Sequence, residues 1–302
     1  MKDILLIPKI RIHNANALSS PYTIGFPAMT AWFGGVHALQ RHLQQTEFKG
    51  VLFKRTAVVC HDIDLQTYRG SGDYVHSIIG TGNPLIPKTK KGTPQNAERP
   101  SFIEEARCHL TVSLIIECEG LGINTNDFTK SVDQIIRGRM KFAGGDILKA
   151  SPGEIPETHD RASQRKLLGR LMPGHCLIER RDLMRQAMEK GQDAIDAMLE
   201  YLKVTHHCEI DEHGNVTWSS NRKEKGWIVP IATGFHGISE LGKAENQRDP
   251  DTPHRFAESV VTLGEFVMPF RIDKLEDMLW QYNTDPKNNL YLCQQKQPVI
   301  EL

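Results

Sequence analysis

Residues 10–43, IRIHNANALSSPYTIGFPAMTAWFGGVHALQRHL, decide how the rest of the chain is read. An apolar run at 4–12 leads into this stretch and reads as a strand, and the polar, small residues at 13–20 read as a loop. Met29, Trp32, Phe33, Val36, Leu39 and Leu43 then recur at three- and four-residue steps, with Pro27 close to the first turn. That spacing predicts an amphipathic helix over 28–44. Gly34 and Gly35 fall inside it, where each costs about 1 kcal/mol against alanine, so a close backbone approach is expected to compensate. His37 and Arg41, four residues apart, project from one side of the helix. Asn14, Asn16, Ser19 and Ser20 offer donors and acceptors between two rigid elements, which suits either a ligand loop or a turn that caps the helix.

Working outward, residues 50–65 carry two strand-like runs, Val51 to Phe53 and Ala57 to Val59, and 106–119 alternate before becoming fully apolar at Ile115 and Ile116. A helix is predicted at 126–137, capped by Asn126, with Asp127 at its positive end and Phe128, Val132, Ile135 and Ile136 on one face. Residues 139–150 complete the pattern as a strand interrupted at Gly144 and Gly145. The order β-α-β-β-α-β places the chain in the α+β class, with a ferredoxin-like, RRM-like βαββαβ core. That arrangement hosts many functions. Residues 66–100, with Gly70, Gly72, Gly80, Gly82, Gly92, several prolines and Lys88, Lys90 and Lys91, form a long excursion expected to order partly against a partner.

Residues 151–156 are the best linker. Beyond them lies a helical insertion whose charge changes sign. Arg161, Arg165, Lys166, Arg170, Arg180, Arg181, Arg185 and Lys190 outnumber Glu179, Asp182 and Glu189; then Asp193, Asp196, Glu200, Glu209, Asp211 and Glu212 outnumber Lys203. The basic run reads equally as a solvated face or as phosphate binding. A stripe of Met184, Ala187, Met188, Ile195, Met198, Leu199 and Leu202 runs through both parts and reads as core. Additional strands and β-hairpins are predicted at 204–210, 216–218, 226–232 and 259–268, and a short helix at 273–282 with Leu275, Met278 and Leu279 in register. The tail beyond Asp285 carries no pattern. The domain reading is a core at 1–150, a helical segment at 151–203, and further strands at 204–302.

Composition narrows the function classes. The chain has 302 residues, 39% hydrophobic and 25% charged, with 37 basic residues against 37 acidic ones. An ordinary core is expected, and any binding of phosphate must be local. No run approaches a membrane span and the first residues lack a cleavage pattern, so a cytoplasmic location is expected. The six cysteines, Cys60, Cys108, Cys118, Cys176, Cys208 and Cys293, form no C-x-x-C pair and read as reduced thiols in core or half-buried positions. His206, His207, Cys208 and His213 are the one metal-like cluster, but consecutive strand residues face opposite ways, so no metal or other cofactor is expected.

Several runs resemble a known family. N-A-N-A at 14–17, S-S-P at 19–21, G-F-P at 25–27 and V-H-A-L-Q-R at 36–41 are similar to the five-prime handle-binding subunit of type I-F CRISPR surveillance (Csy) complexes. P-I-A-T-G-F at 230–235, I-S at 238–239, R-D-P at 248–250, T-P at 252–253, R-F at 255–256, E-S at 258–259 and L-G-E at 263–265 form a second block, and F-A-G-G-D-I at 142–147 resembles the family's central glycine pair.

The resemblance implies a non-catalytic subunit that grips the five-prime handle of the CRISPR guide RNA, pairs with the large subunit, caps the filament of backbone subunits, and can meet target DNA through the complex. Handle binding carries over to 14–20, to His37 and Arg41, to Gly144 and Gly145, and to 248–271. Asn14, Asn16, Ser19 and Ser20 would meet base edges or the two-prime hydroxyl. Arg11, Arg41, Arg55, Arg137, Arg139 and Lys141 would meet phosphates, as would Arg248, Arg255 and Arg271, while Gly144, Gly145 and Gly234 would allow close backbone approach. Two other readings stand beside it: a metal-free RNA-processing endoribonuclease using His37 with Tyr22 or His13 with Lys9, and a structural subunit that touches only protein.

Overall fold

Strand β1 (Asp3–Asn16) is longer than its apolar run because two bulges interrupt its alternation, one between Ile7 and Ile10 and one between Ile12 and Ala15. Lys9 and Asn14 take positive φ values of 52° and 55° in these bulges. The strand therefore runs through half of the segment predicted as loop, since each bulge shifts which side chains face the core and hides the period of two. Leu18–Ser20 then pairs with Thr23–Ile24. The structure, a computed structural model, describes residues 3–79, 86–90, 93–98, 105–247 and 249–296.

Helix α1 (Met29–Leu43) matches its sequence signal, burying Met29, Trp32, Phe33, Val36, Leu39 and Leu43. Each such side chain withdrawn from water contributes about 1.5–3 kcal/mol. Strands β2 (Leu52–Leu65) and β3 (Arg107–Glu119) and helix α2 (Thr125–Arg139) follow as predicted, but α2 is capped by Asn124, whose side chain accepts from the Asp127 amide. Asn126 already lies inside the first helical turn, so it is not the half-in flanking residue that caps the helix. The interrupted last strand is a hairpin, β4 (Lys141–Phe142) and β5 (Gly145–Lys149), turning through Ala143 and Gly144 at φ 49° and 76°. Two positive values in succession are the backbone of a primed two-residue turn. All pairings of β5, β1, β3 and β2, in that order, are antiparallel, which is the ferredoxin-like arrangement.

The sheet continues into the second half through β6 (His175–Glu179), β7 (Ile228–Gly237), β8 (Ala257–Val267), β9 (Trp280–Asp285) and β10 (Leu290–Gln295). Its full order is β4-β5-β1-β3-β2-β6-β8-β7-β10-β9, ten strands, and β9 returns to β2 where Trp280 meets Thr56. Strands β2, β6, β8, β7, β10 and β9 thus close into a ring, with the buried Trp280 indole donating to the Leu177 carbonyl at 2.9 Å. The helix predicted at 273–282 is one 3-10 turn, Leu275–Met278, followed by β9, and the tail supplies β10. Residues 151–156 are fastened to β1 by paired bonds between Glu154 and Leu6 at 2.8 and 2.9 Å.

Helices α3 (Arg161–Arg170), α4 (Arg181–Glu189) and α5 (Ala194–Leu202) form the insertion. The apolar stripe is only half core. Leu183, Met184 and Ala187 are buried, but the break at Gly191 re-aims α5, so Ala197 and Tyr201 point inward and Met188, Ile195 and Leu199 are exposed. Helices α1 and α2 cover one face of the first-half sheet. On the other face Ile4, Leu6, Ala57, Val59 and Ile115 lie under Leu167, Leu168 and Leu171 of α3 and under Ile272, Leu275 and Met278. Among the described residues this cover lies over the first half of β1.

The excursion contains two short hairpins, Thr67–Tyr68 with Ser77–Ile78 and Ile86–Lys90 with Thr93–Glu98; Gly80, Gly82, Lys91 and Gly92 lie outside the described residues. Thr205–Ile210 and Val216–Asn221 make a hairpin exposed along its whole length, with His206 and Cys208 on one face and His207 on the other. Cys208 is exposed, against expectation, because this hairpin stands off the core; Cys60, Cys108, Cys118, Cys176 and Cys293 are buried. Burial pushes the Cys60 thiol up to about 12. Among the described residues no helix is long and apolar enough to cross a membrane.

Candidate nucleic-acid interface

The end of β1, one side of α1 and the β4–β5 turn enclose a cleft of about 430 Å³, lined by Asn16, Ser19, Ala28, Ala31, Gly34, Gly35, Ala38, Lys141, Ala143 and Gly144. Four residues singled out from the sequence, Asn16, Ser19, Lys141 and Gly144, meet here although more than a hundred positions separate the first pair from the second. The α1 wall is built only of alanine and glycine, so a ligand can approach the helix backbone closely. Gly34 faces open space, whereas Gly35 is required by the Phe142 ring, whose Cε1 would lie 2.6 Å from an added Cβ. The close approach expected at the glycine pair therefore belongs to Gly35 alone.

The polar residues of the β1 end are engaged in their own turns. The Asn16 side chain donates to the Leu18 carbonyl and accepts from the Leu18 amide, both at 3.1 Å. Ser19 and Ser20 each share a hydrogen bond with the Thr23 hydroxyl, at 2.9 and 2.7 Å. Ser20 is also buried, which withdraws it from the surface where a base would sit. Asn14 keeps its side chain exposed, and its backbone amide donates to His109 Nδ1 at 3.1 Å. Lys141 forms an ion pair with Asp146 directly across the β4–β5 ladder, and that bond and charge hold the Asp146 carboxyl below its usual range.

The glycines divide by cause. Gly144 needs its positive φ, and Gly145 is dictated by packing, because an added Cβ would stand 2.6 Å from Ile12 Cγ2 and 2.7 Å from the His13 carbonyl. Gly234 likewise lets β7 meet β10, with Leu292 Cδ2 at 2.8 Å from an added Cβ.

Other predicted residues lie elsewhere. His37 lines a separate cleft of about 420 Å³ with Phe33, Phe53, Lys54, Tyr282 and Tyr291. Arg41 is exposed on α1. Arg55 is held by Glu117, Nε to Oε2 2.7 Å, with 13% and 2% of the two side chains exposed, so its charge is neutralised inside the fold. Arg137 donates to the Ala150 carbonyl at 3.1 Å; Arg139 is exposed. Arg11 lies on the opposite face of the sheet from α1. Arg255 donates to Asn289 at 2.6 Å and Arg271 sits over the Phe270 ring; neither lines the cleft. Arg248 lies outside the described residues.

The nuclease pairs are not assembled. Lys9 Nζ bonds His61 Nδ1 at 2.8 Å rather than His13, and Tyr22 is absent from the lining of the His37 cleft. Sequence reasoning missed the Ala28, Ala31, Gly34, Gly35 and Ala38 wall, whose signal was a stripe of small residues at helical spacing.

Comparison with known proteins agrees with the motifs. The family model for CRISPR-associated protein (Cas_Csy2) matches residues 5–293. CRISPR-associated protein Csy2 of Pseudomonas aeruginosa (strain UCBPP-PA14) is 32% identical over 320 residues, covering 95% of this chain and 94% of that protein. A family match along nearly the whole chain, on a ferredoxin-like sheet, shows that this protein belongs to the Csy2 family of type I-F CRISPR systems.

Proposed function

We propose that this chain is a non-catalytic subunit that holds the five-prime handle of a CRISPR guide RNA, seated beside a large subunit at one end of the backbone filament. The observation that carries the reading is the cleft, where the family-like N-A-N-A and A-G-G-D runs come together against the bare α1 backbone. A sugar-phosphate chain needs close contact with backbone and a few cations, and the cleft offers Gly34, Gly144 and Lys141 for this. Asn16 and Ser19 serve by shaping the wall rather than by reading bases. A neutral protein with local basic groups suits a system in which the RNA supplies sequence specificity by base pairing.

The test is a salt-titrated binding assay of the full chain, co-purified with its large partner, against guide RNAs with an intact or scrambled handle. Tighter binding to the intact handle, weakened by Lys141→Ala, is the expected result. Equal binding to both RNAs overturns handle recognition by this chain. Binding to the partner with no salt-dependent RNA term favours the protein-only reading, and cleaved RNA favours the nuclease.

A further inference from the structure

The half of the sheet's second face that α3 leaves uncovered carries a group that the handle cleft does not use. His13 of β1 and His109 of β3 stack there with ring centroids 4.3 Å apart and planes 15° from parallel. The β1 bulge holds them in place, because the Asn14 amide at φ 55° donates to His109 Nδ1 and fixes the orientation of that ring. Two positions earlier on β1, Arg11 pairs with Lys149 of β5, where an irregularity in the ladder follows between Arg11 and Ile12. Arg11 and Lys149 are both exposed, and among the described residues neither forms an ion pair.

Like charges directly opposite on adjacent strands destabilise a sheet, so the Arg11–Lys149 pair costs stability unless an anion lies between them. The two stacked imidazoles are half-buried, and the exposed part of the stack offers a π-face to a planar ring. The positions matter as well: proteins with this four-stranded arrangement stack unpaired bases on aromatic side chains of the sheet. Acidic groups bound the patch. Asp146 lies opposite His13 but is held by Lys141, and Asp64 of β2 lies opposite His109 and accepts from Gln66 at 3.0 Å. Strand β2 is therefore the acidic border, and a polyanion would run along β1 and β5.

We propose that this uncovered half-face is a second RNA subsite, in which the His13–His109 stack receives one unpaired base and Arg11 with Lys149 receive its phosphate. The inference rests on the RNA-binding reading of the chain but not on the handle cleft. Duplex RNA is excluded as a ligand because its bases offer no free face.

The experiment uses the full chain with its large partner and a guide RNA bearing the intact handle, in three variants whose folding is checked by thermal melting. His13→Ala with His109→Ala is expected to weaken binding roughly 5- to 150-fold, the range that stacking of a base on an aromatic ring carries. His13→Phe with His109→Phe retains binding, since stacking survives without the imidazole nitrogens. Arg11→Ala with Lys149→Ala lowers the salt slope by roughly 0.7, one single-strand phosphate contact. Photo-crosslinking of 4-thiouridine-substituted guide RNA to the unaltered protein is expected to label peptides containing His13 or His109, and it needs no variant to fold. Parent-like binding by the double alanine variant, or crosslinks only at the cleft, overturns the subsite while leaving handle binding by Lys141 intact. Equal loss in the phenylalanine and alanine variants overturns stacking as its mechanism. Absence of RNA binding by the parent complex overturns both readings together.

Discussion

Gly35 of α1 lies under the ring of Phe142, so closely that an added Cβ would stand 2.6 Å from Cε1. This contact sets how deeply α1 seats against the β4–β5 hairpin, and so the width of the cleft. Gly35→Ala is expected to destabilise the chain by about 1–3 kcal/mol through overpacking. Its neighbour behaves oppositely. An added Cβ at Gly34 meets nothing within 4 Å, so Gly34→Ala should stabilise by about 0.5–1 kcal/mol through helix propensity alone. Urea unfolding of the two variants checks the difference in sign.

Gly34 also lines the cleft, which separates stability from binding. If RNA lies against the α1 backbone, Gly34→Ala yields a more stable protein that binds the handle more weakly. Unchanged affinity in the stabilised variant would place the RNA elsewhere.

Arg55 is expected to act on the fold rather than on RNA. Removing it leaves Glu117 buried without the guanidinium it faces, and breaking a buried pair from one side costs roughly 3 kcal/mol. Arg55→Ala should lower the unfolding midpoint, while the folded fraction keeps the parent's RNA affinity. A change in salt slope with no loss of stability would reverse that assignment.

Lys141 and Asp146 provide an electrostatic test of the cleft. Lys141→Ala should reduce the slope of log affinity against log salt by roughly 0.7, one single-strand phosphate contact. Asp146→Asn frees the ammonium from its partner across the ladder and should tighten handle binding several-fold at low salt. Filter binding at two salt concentrations reads both effects.

Burial pushes the Glu179 carboxyl up to about 7, with Arg181 at 3.6 Å and the Gln295 amide only partly opposing the shift. Because the folded-state value lies above the unfolded one of about 4.3, the folded chain retains a proton that the unfolded chain has lost between those values. Stability from this group is therefore complete below about pH 4 and declines as pH rises toward 7. Glu179→Gln should remove that decline and add up to about 3.5 kcal/mol at pH 8. Unfolding curves at pH 5 and pH 8 measure it; an unaltered pH dependence would show that the carboxyl is already ionised in the fold.

Local periodicity made much of the fold legible. Helix α1 spans 29–43 against a predicted 28–44, and Phe128, Val132, Ile135 and Ile136 form the buried face of α2. What misled were places where two patterns compete. Leu275, Met278 and Leu279 keep helical spacing up to Trp280, yet the chain opens into β9 because Trp280 gains a buried place and a partner in Leu177. The Lys9 and Asn14 bulges erased the alternation that would have extended β1.

The sequence by itself determined the βαββαβ order, the helix faces and the family, all of which follow from residues close together along the chain. Only the tertiary structure decided that Asn16, Ser19, Lys141 and Gly144 share one cleft, that Arg55 and Ser20 are withdrawn from the surface, and that His13 stacks on His109. The reason is physical: periodicity reports which side of an element is apolar, but which distant polar groups become neighbours depends on strand register and on how far a residue such as Gly35 lets two elements approach.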